Sequence, residues 1–295
     1  MAHAAPCPVE LVVLGTGQDG GAPQLGHEED RAWADPTLRR TATSLGLIDH
    51  ASGRRWLIEA TPDLREQLHR FNQVAPPGGR PQPALDGVFL THAHMGHYTG
   101  LMFFGHEVIG ARDLPVYAMP RMSRYLETNG PWSQLVGFHN IRLQPLKDGI
   151  AIDLGAMRIT PFSVPHRQEF SEVVGFRIDG PNRRVLFIPD IDRWEDWDAQ
   201  GQRIEDALKT VDLAYLDGTF YADGELPGRD MSKIPHPMIS RTLERLGSLK
   251  LSERAKVRFI HLNWSNPARF PDTAARRAIE AAGMDVAAEM ERVCL

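Results

Sequence analysis

The segment Gly87-Val-Phe-Leu-Thr-His92-Ala-His94-Met-Gly96-His97-Tyr-Thr-Gly100-Leu101 places three imidazoles between positions 92 and 97. With 12 histidines in 295 residues, composition alone yields such spacing roughly one time in fifty. The bland alternative is a polar loop whose rings are satisfied locally. Side chains two apart in an extended segment face the same way, so His92 and His94 can grip one cation. His97 follows where the chain turns into a helix and can face an adjacent second cation. Neutral imidazole suits several transition metals. Zinc, as one or two ions, is the leading expectation, with iron or manganese as alternatives.

A polar residue that closes an apolar strand often only starts a loop. Three such ends accompany the histidine triplet, and together they read as further ligands. They are His166 in Ser163-Val-Pro-His166, Asp190 in Val185-Leu-Phe-Ile-Pro-Asp190, and His261 in Val257-Arg-Phe-Ile-His261.

The elements that must position these residues are short apolar runs, read as buried strands. The runs are 9–14, 42–48, 56–59, 87–91, 116–119, 141–146, 157–164, 173–178, 185–188, 213–216 and 257–262. Helical patterns cover 62–71, 120–129, 202–210, 237–246 and 272–282. Thr61 and Pro62 form a cap and first-turn pair for the first helix. Strands dominate each half and helices follow them. That order predicts two packed sheets with helices outside, rather than strict alternation around one parallel sheet. Residues 75–83, rich in Pro and Gly, read as a surface loop. One domain spanning 1–295 is expected.

The chain is 42% hydrophobic and 24% charged, with a net charge of −5. A sizeable core is available, but the concentrated positive face that nucleic acid requires is missing. Cys7 and Cys294 lie near opposite ends, neither in a C-x-x-C pair. A thiolate zinc site and a disulfide framework are therefore disfavoured, and a lone bridge between the termini is the minor alternative. The first eight residues lack a basic region followed by an apolar run. No stretch approaches the ~20 apolar residues that span a bilayer. A cytoplasmic protein without membrane or nucleic-acid partners is expected, acting on a small molecule, with a homodimer as the open question of assembly.

The histidine pattern and the strand-end residues resemble the metallo-β-lactamase superfamily, whose hallmark is H-x-H-x-D-H followed by a distant His, a bridging Asp and a final His. His92, His94 and His97 match the hallmark histidines; His166, Asp190 and His261 match the three later positions. The resemblance implies a four-layer αββα sandwich with metals at one edge of the two sheets. Within the superfamily, the chain is most similar to the pyrroloquinoline-quinone biosynthesis protein B-like branch. The shared features include Leu14-Gly-Thr-Gly, Gly20-Gly-Ala-Pro-Gln, Thr61-Pro-Asp-Leu-Arg, Pro165-His-Arg, Leu216-Asp-Gly-Thr-Phe-Tyr and Ile260-His-Leu-Asn.

Three departures from these patterns bear on function. Gly96 stands where the hallmark Asp belongs, which predicts a second cation held only by His97, Asp190, His261 and water. Asp19 and Asp192 are the available replacements, and restoring Asp at 96 is expected to raise metal content. Residues 25–40 hold no cysteine, so the structural zinc of that branch is not expected. His92 and His94 stand where branch members have Asp and Gln, which suits a general hydrolase.

The resemblance also implies roles for further residues. Asp217 and His236 are similar to the proton-donating pair of the RNase Z branch, and Asp190 serves both as ligand and as acceptor from the attacking water. Glu59 matches an acidic residue that supports the histidine loop. Arg167 could meet a substrate anion or pair with Glu169 or Glu172, and Trp132, with Trp33 and Trp264, could wall a pocket. The expected activity is hydrolysis of a small ester, lactone or phosphodiester by a metal-activated water. The alternatives are an iron-dependent oxygenase or oxidoreductase in cofactor biosynthesis and a non-catalytic metal or cofactor carrier.

Overall fold

In a computed structural model that describes residues 7–295, every apolar run read as a strand is a strand. In chain order these are β1 (Val9–Gly15), β2 (Ser44–Asp49), β3 (Arg54–Ile58), β4 (Gly87–Phe89), β5 (Leu114–Ala118), β6 (Ile141–Pro145), β7 (Ile152–Asp153), β8 (Arg158–Ser163), β9 (Val174–Asp179), β10 (Arg184–Ile188), β11 (Leu213–Asp217), β12 (Val257–Ile260), β13 (Asp285–Val286) and β14 (Arg292–Cys294). β7, β13 and β14 are too short to show a two-residue period in the sequence. They form two seven-stranded sheets, ordered β14-β1-β2-β3-β4-β5-β6 and β13-β12-β11-β10-β9-β8-β7. Residues 1–6, on which most of the leader reading rests, lie outside the described residues.

The packing follows from strands that are apolar on both faces. In β1, Val9, Leu11 and Val13 face the core between the sheets, while Val12 and Leu14 face the outer helices. In β11, Leu213 and Tyr215 join the same central core, and Ala214 and Leu216 meet the helices on the far side. The result is the expected α/β fold of two mixed sheets flanked by helices. Burying each large aliphatic or aromatic side chain in these layers contributes about 1.5–3 kcal/mol. Gly46 lets the helix Leu64–Val74 press onto β2, since a Cβ there would lie 2.6 Å from the Phe71 ring. That helix starts later than expected. Thr61 does not cap it; its hydroxyl accepts from the Asp63 amide and donates to Gln67.

Strand direction gathers the chemistry. β1 is antiparallel to β2, β2 to β3, and β3 is parallel to β4, so β1, β3 and β4 run the same way. β8 is antiparallel to β9, β9 to β10, and β10, β11 and β12 are parallel. The C-terminal ends of these seven strands, with those of β5, β6 and β13, therefore collect at one edge of each sheet. The edges are joined where Gly17 bridges both Ala42 and Leu262. Among the described residues, no helix is long and apolar enough to cross a membrane.

The cysteine expectation is overturned. Cys7 and Cys294 form a disulfide, with their Cα atoms 5.5 Å apart. The cause is tertiary: β14 pairs antiparallel with β1, matching Cys294 to Glu10, which sequence separation hides. The argument for a reducing compartment from cysteine usage falls with it. The bridge closes nearly the whole chain into a loop. Protein handled in air should show no free thiol, and reduction should lower stability by up to about 5 kcal/mol, read from urea unfolding with and without dithiothreitol. Two free thiols in native protein would contradict the pairing.

Candidate metal centre

Each candidate ligand stands just past one of the gathered strand ends. Asp19 follows β1, His92 and His94 follow β4, His166 follows β8, Asp190 follows β10 and His261 follows β12. His97 sits on the one-turn helix Met95–Tyr98. His94 is partly exposed, Asp19 is partly exposed and the others are buried. Two residues that turn the chain at these ends adopt left-handed backbone, His261 at φ 64° and Glu59 at φ 75°. That is uncommon for residues with a Cβ and occurs where surrounding structure enforces it.

The side chains converge into two groups of ligand atoms. One is His92, His94, His166 and Asp190; the other is Asp19, His97 and His261. Within each group the ligand atoms lie within 4.8 Å of one another. Asp190 sits between the groups. Its Oδ2 lies 3.4 Å from His92 Nε2, 2.9 Å from His97 Nε2 and 3.5 Å from His261 Nε2. Its Oδ1 lies 3.9 Å from His166 Nε2 and 3.6 Å from His236 Nδ1.

The outward ring nitrogens are held by neighbours, which fixes the nitrogen each ring turns inward. His92 Nδ1 meets Thr91 Oγ1 at 2.9 Å, His166 Nδ1 meets Asp192 at 2.8 Å and His261 Nδ1 meets Thr219 Oγ1 at 3.0 Å. Glu59 lies 3.5 Å from His97 Nδ1. His94 reverses the pattern: its Nε2 meets Glu169 at 3.2 Å and its Nδ1 turns inward, 3.3 Å from His166 Nε2. Buried polar groups normally find partners. Yet His92 Nε2, His97 Nε2, His261 Nε2, Asp190 Oδ1 and Asp19 Oδ1 are buried with no hydrogen-bond partner among the described residues. Converging imidazole lone pairs and carboxylate oxygens with nothing to accept from fit divalent cations.

Electrostatics shows the same demand for positive charge. Burial, with His97 nearby, holds the His92 ring well below the ordinary histidine range, and burial also lowers His94. Burial opposes a charged His97, but Glu59, Asp19 and Asp190 outweigh it and hold that ring well above its usual range. Burial likewise opposes an ionised Asp190 and is outweighed by His261, His166 and His97, so its carboxyl stays well below the usual range. For Asp19, contacts with His261 and His97 overcome burial in the same way. Burial alone dominates at Glu59, which is raised.

A third group adjoins the first two. Asp217 Oδ2 lies 2.8 Å from His236 Nδ1 and accepts from the Ile191 amide, while Oδ1 accepts from the Thr219 amide and hydroxyl. This pairing outweighs burial and pushes His236 up to about 9. His236, Asp192, Arg193, Arg229, Lys233 and Arg241 line a cavity of about 860 Å³ beside the centre.

The structure brings the expected ligands together, along with Asp217, His236 and Glu59. It corrects the reading of Gly96: the second group has its own carboxylate, Asp19, while Asp192 lies behind His166. Arg167 is exposed and pairs with Glu169 at 3.6 Å, beside His94. Trp132 packs against Tyr98 in the outer core, in a row continued by Tyr125 and the exposed Phe170. Trp264 stacks on His27, and Trp33 donates to the His27 carbonyl. The supporting roles of Thr91, Thr219 and Asp192 emerge only from the fold, though each flanks a strand-end ligand or pair.

The fold and site define a metallo-β-lactamase-like protein. A family model for the β-lactamase superfamily domain matches residues 54–262, and the chain belongs to that superfamily. It is similar to coenzyme PQQ synthesis protein B of Xanthomonas campestris pv. campestris, 27% identical over 306 residues covering 95% of this chain and 97% of that one. Among solved structures it resembles zinc-bound PqqB from Methylobacterium extorquens, with TM-score 0.78, 22% identity and coverage of 97% and 100% of the two chains. It also resembles a diphosphatase of the PhnP family, with TM-score 0.66, 20% identity and coverage of 97% and 98%.

Asp217 is fully buried and its oxygens satisfy four donors. Asp217→Ala should cost about 3–5 kcal/mol, as removal of one partner from a buried charged pair does. Urea unfolding measures it; a loss below about 1 kcal/mol would show that the pair is not structurally coupled.

Proposed function

We propose that the protein is a metal-dependent hydrolase acting on a small ester, lactone or phosphodiester. The observation that carries this is the pair of largely buried ligand sets on either side of Asp190, with the Asp217–His236 pair alongside. His92, His94, His166 and Asp190 would hold one cation; Asp190, His97, His261 and Asp19 would hold a second. Zinc suits the donor set, and the similarity to a zinc-bound relative supports it. Iron and manganese suit it too. A cation bound there supplies Lewis acidity, acidifying water toward neutrality and polarising the target oxygen.

The remaining work falls to the chain's own groups. Asp190 orients the attacking water by accepting a hydrogen bond from it. Asp217 fixes the His236 ring through Nδ1, leaving Nε2 to deliver a proton to the leaving group. The adjoining cavity, with Arg193, Arg229 and Arg241 on its wall, receives the substrate, and Arg167 and the aromatic row ending at Phe170 border the side near His94.

A second reading is a part in quinone-cofactor assembly, as an iron-dependent oxygenase. It is favoured by the end-to-end similarity to coenzyme PQQ synthesis protein B. A cofactor carrier without turnover is the third reading. Dioxygen consumption by iron-loaded protein prepared anaerobically separates the oxygenase from the hydrolase.

Turnover of an ester and phosphodiester panel is expected, abolished by chelation and restored by zinc or manganese. Chelator-insensitive turnover, or none with any metal, would contradict the hydrolase. His236→Ala should lower kcat by about 10²–10⁴-fold, the usual contribution of a general acid, with metal content unchanged. Loss of metal in that variant would make His236 a ligand instead.

A further inference from the structure

Gly96 and Asp19 occupy one space. A Cβ built on Gly96 would lie 2.2 Å from Asp19 Oδ1, 2.4 Å from its Cα and 2.7 Å from its Cβ. Those distances cannot be relieved by rotating a side chain, because the Asp19 backbone itself is in the way. Gly96 lies in the helix Met95–Tyr98 and is not among the positive-φ glycines. Its backbone conformation does not call for glycine; the room for Asp19 does.

Asp19 is aimed, too. Its side chain is 44% exposed, yet its Oδ1 is buried without a hydrogen-bond partner among the described residues. That oxygen lies 3.2 Å from His97 Nε2 and 3.7 Å from His261 Nε2. The loop carrying it is fastened to the His261 strand end. Leu262 N donates to Thr16 O at 2.9 Å and Gln18 N donates to Leu262 O at 2.9 Å. Gly17 N donates to Thr41 O at 2.8 Å, and Gly21 N closes the turn on Gln18 O at 2.7 Å. The bonds on either side of Leu262 fix Asp19 relative to His261.

We infer that the second cation position is re-ligated: Asp19, from the loop after β1, supplies the carboxylate that the histidine motif lacks at 96, and Gly96 is the space that admits it. This rests on the metal-centre reading. It makes positions 19 and 96 a coupled pair and replaces the expectation that Asp at 96 would strengthen the site.

The test is zinc content per chain and zinc affinity by chelator competition, with thermal melting to confirm folding. The proteins are wild type, Asp19→Asn, Gly96→Asp and the double variant Asp19→Gly with Gly96→Asp. Asp19→Asn preserves size and removes only the charge, so it separates ligation from folding. Wild type should bind two zinc ions. Asp19→Asn should keep one and weaken the second by more than about 100-fold, beyond the loss seen when only a supporting partner of a ligand is removed. Gly96→Asp alone should also lose the second ion, and the double variant should regain it. Two equally tight ions in Asp19→Asn would overturn the role of Asp19. Two tight ions in Gly96→Asp would overturn the steric exchange. A wild type that binds one ion, unaffected by Asp19→Asn, would overturn both. A wild type that binds no zinc would instead overturn the metal-centre reading on which the inference rests.

Discussion

Asp190 is buried between two clusters, its carboxylate facing imidazole nitrogens of His92, His97, His166, His236 and His261. A charge removed from water is costly unless it is paired, and so are ring nitrogens without partners. The site is stable only if cations complete it or if its rings take up protons. Much of the surrounding structure serves that constraint: threonine and carboxylate partners turn the outer nitrogens away, and two left-handed turns aim Glu59 and His261 inward.

Strand direction makes the convergence obtainable. Seven of the strands that end at this edge each deliver a residue, at the last strand position for Asp217 and within the first few positions beyond the sheet for the others. The two sheets contribute differently. β1, β3 and β4 bring Asp19, Glu59 and the histidine triplet, while β8, β10, β11 and β12 bring His166, Asp190, Asp217 and His261. Because the ligands come from both sheets, the centre ties their edges together, alongside the core, the Gly17 bridges and backbone bonds such as Val174 N to Thr91 O. A shift of one sheet over the other would separate Asp190 from His97.

The sequence made the strands and the histidine ligands legible for one physical reason. A buried strand is an apolar run, and a polar residue at its end is conspicuous. That rule found His166, Asp190 and His261, while Asp217 and His236 came only from the family resemblance. It could not find β7, β13 or β14, which are too short to carry a period, or the pairing of Cys7 with Cys294, which depends on β14. Asp19 was named only as one of two candidates. It lies in a Gly-rich loop four residues past β1, and nothing local shows that this loop folds onto the space left by Gly96. Trp132 illustrates the opposite limit: its type suits a pocket wall, but its helix packs it against Tyr98.

The central claim is that cations occupy both sides of Asp190. A crystal of protein loaded with zinc, with anomalous diffraction collected at the zinc edge, tests it most directly. Two anomalous peaks are expected, one contacted by His92, His94 and His166 and the other by Asp19, His97 and His261, with Asp190 reaching both. An absence of peaks at these residues, with the imidazoles hydrogen-bonded to water alone, would contradict it.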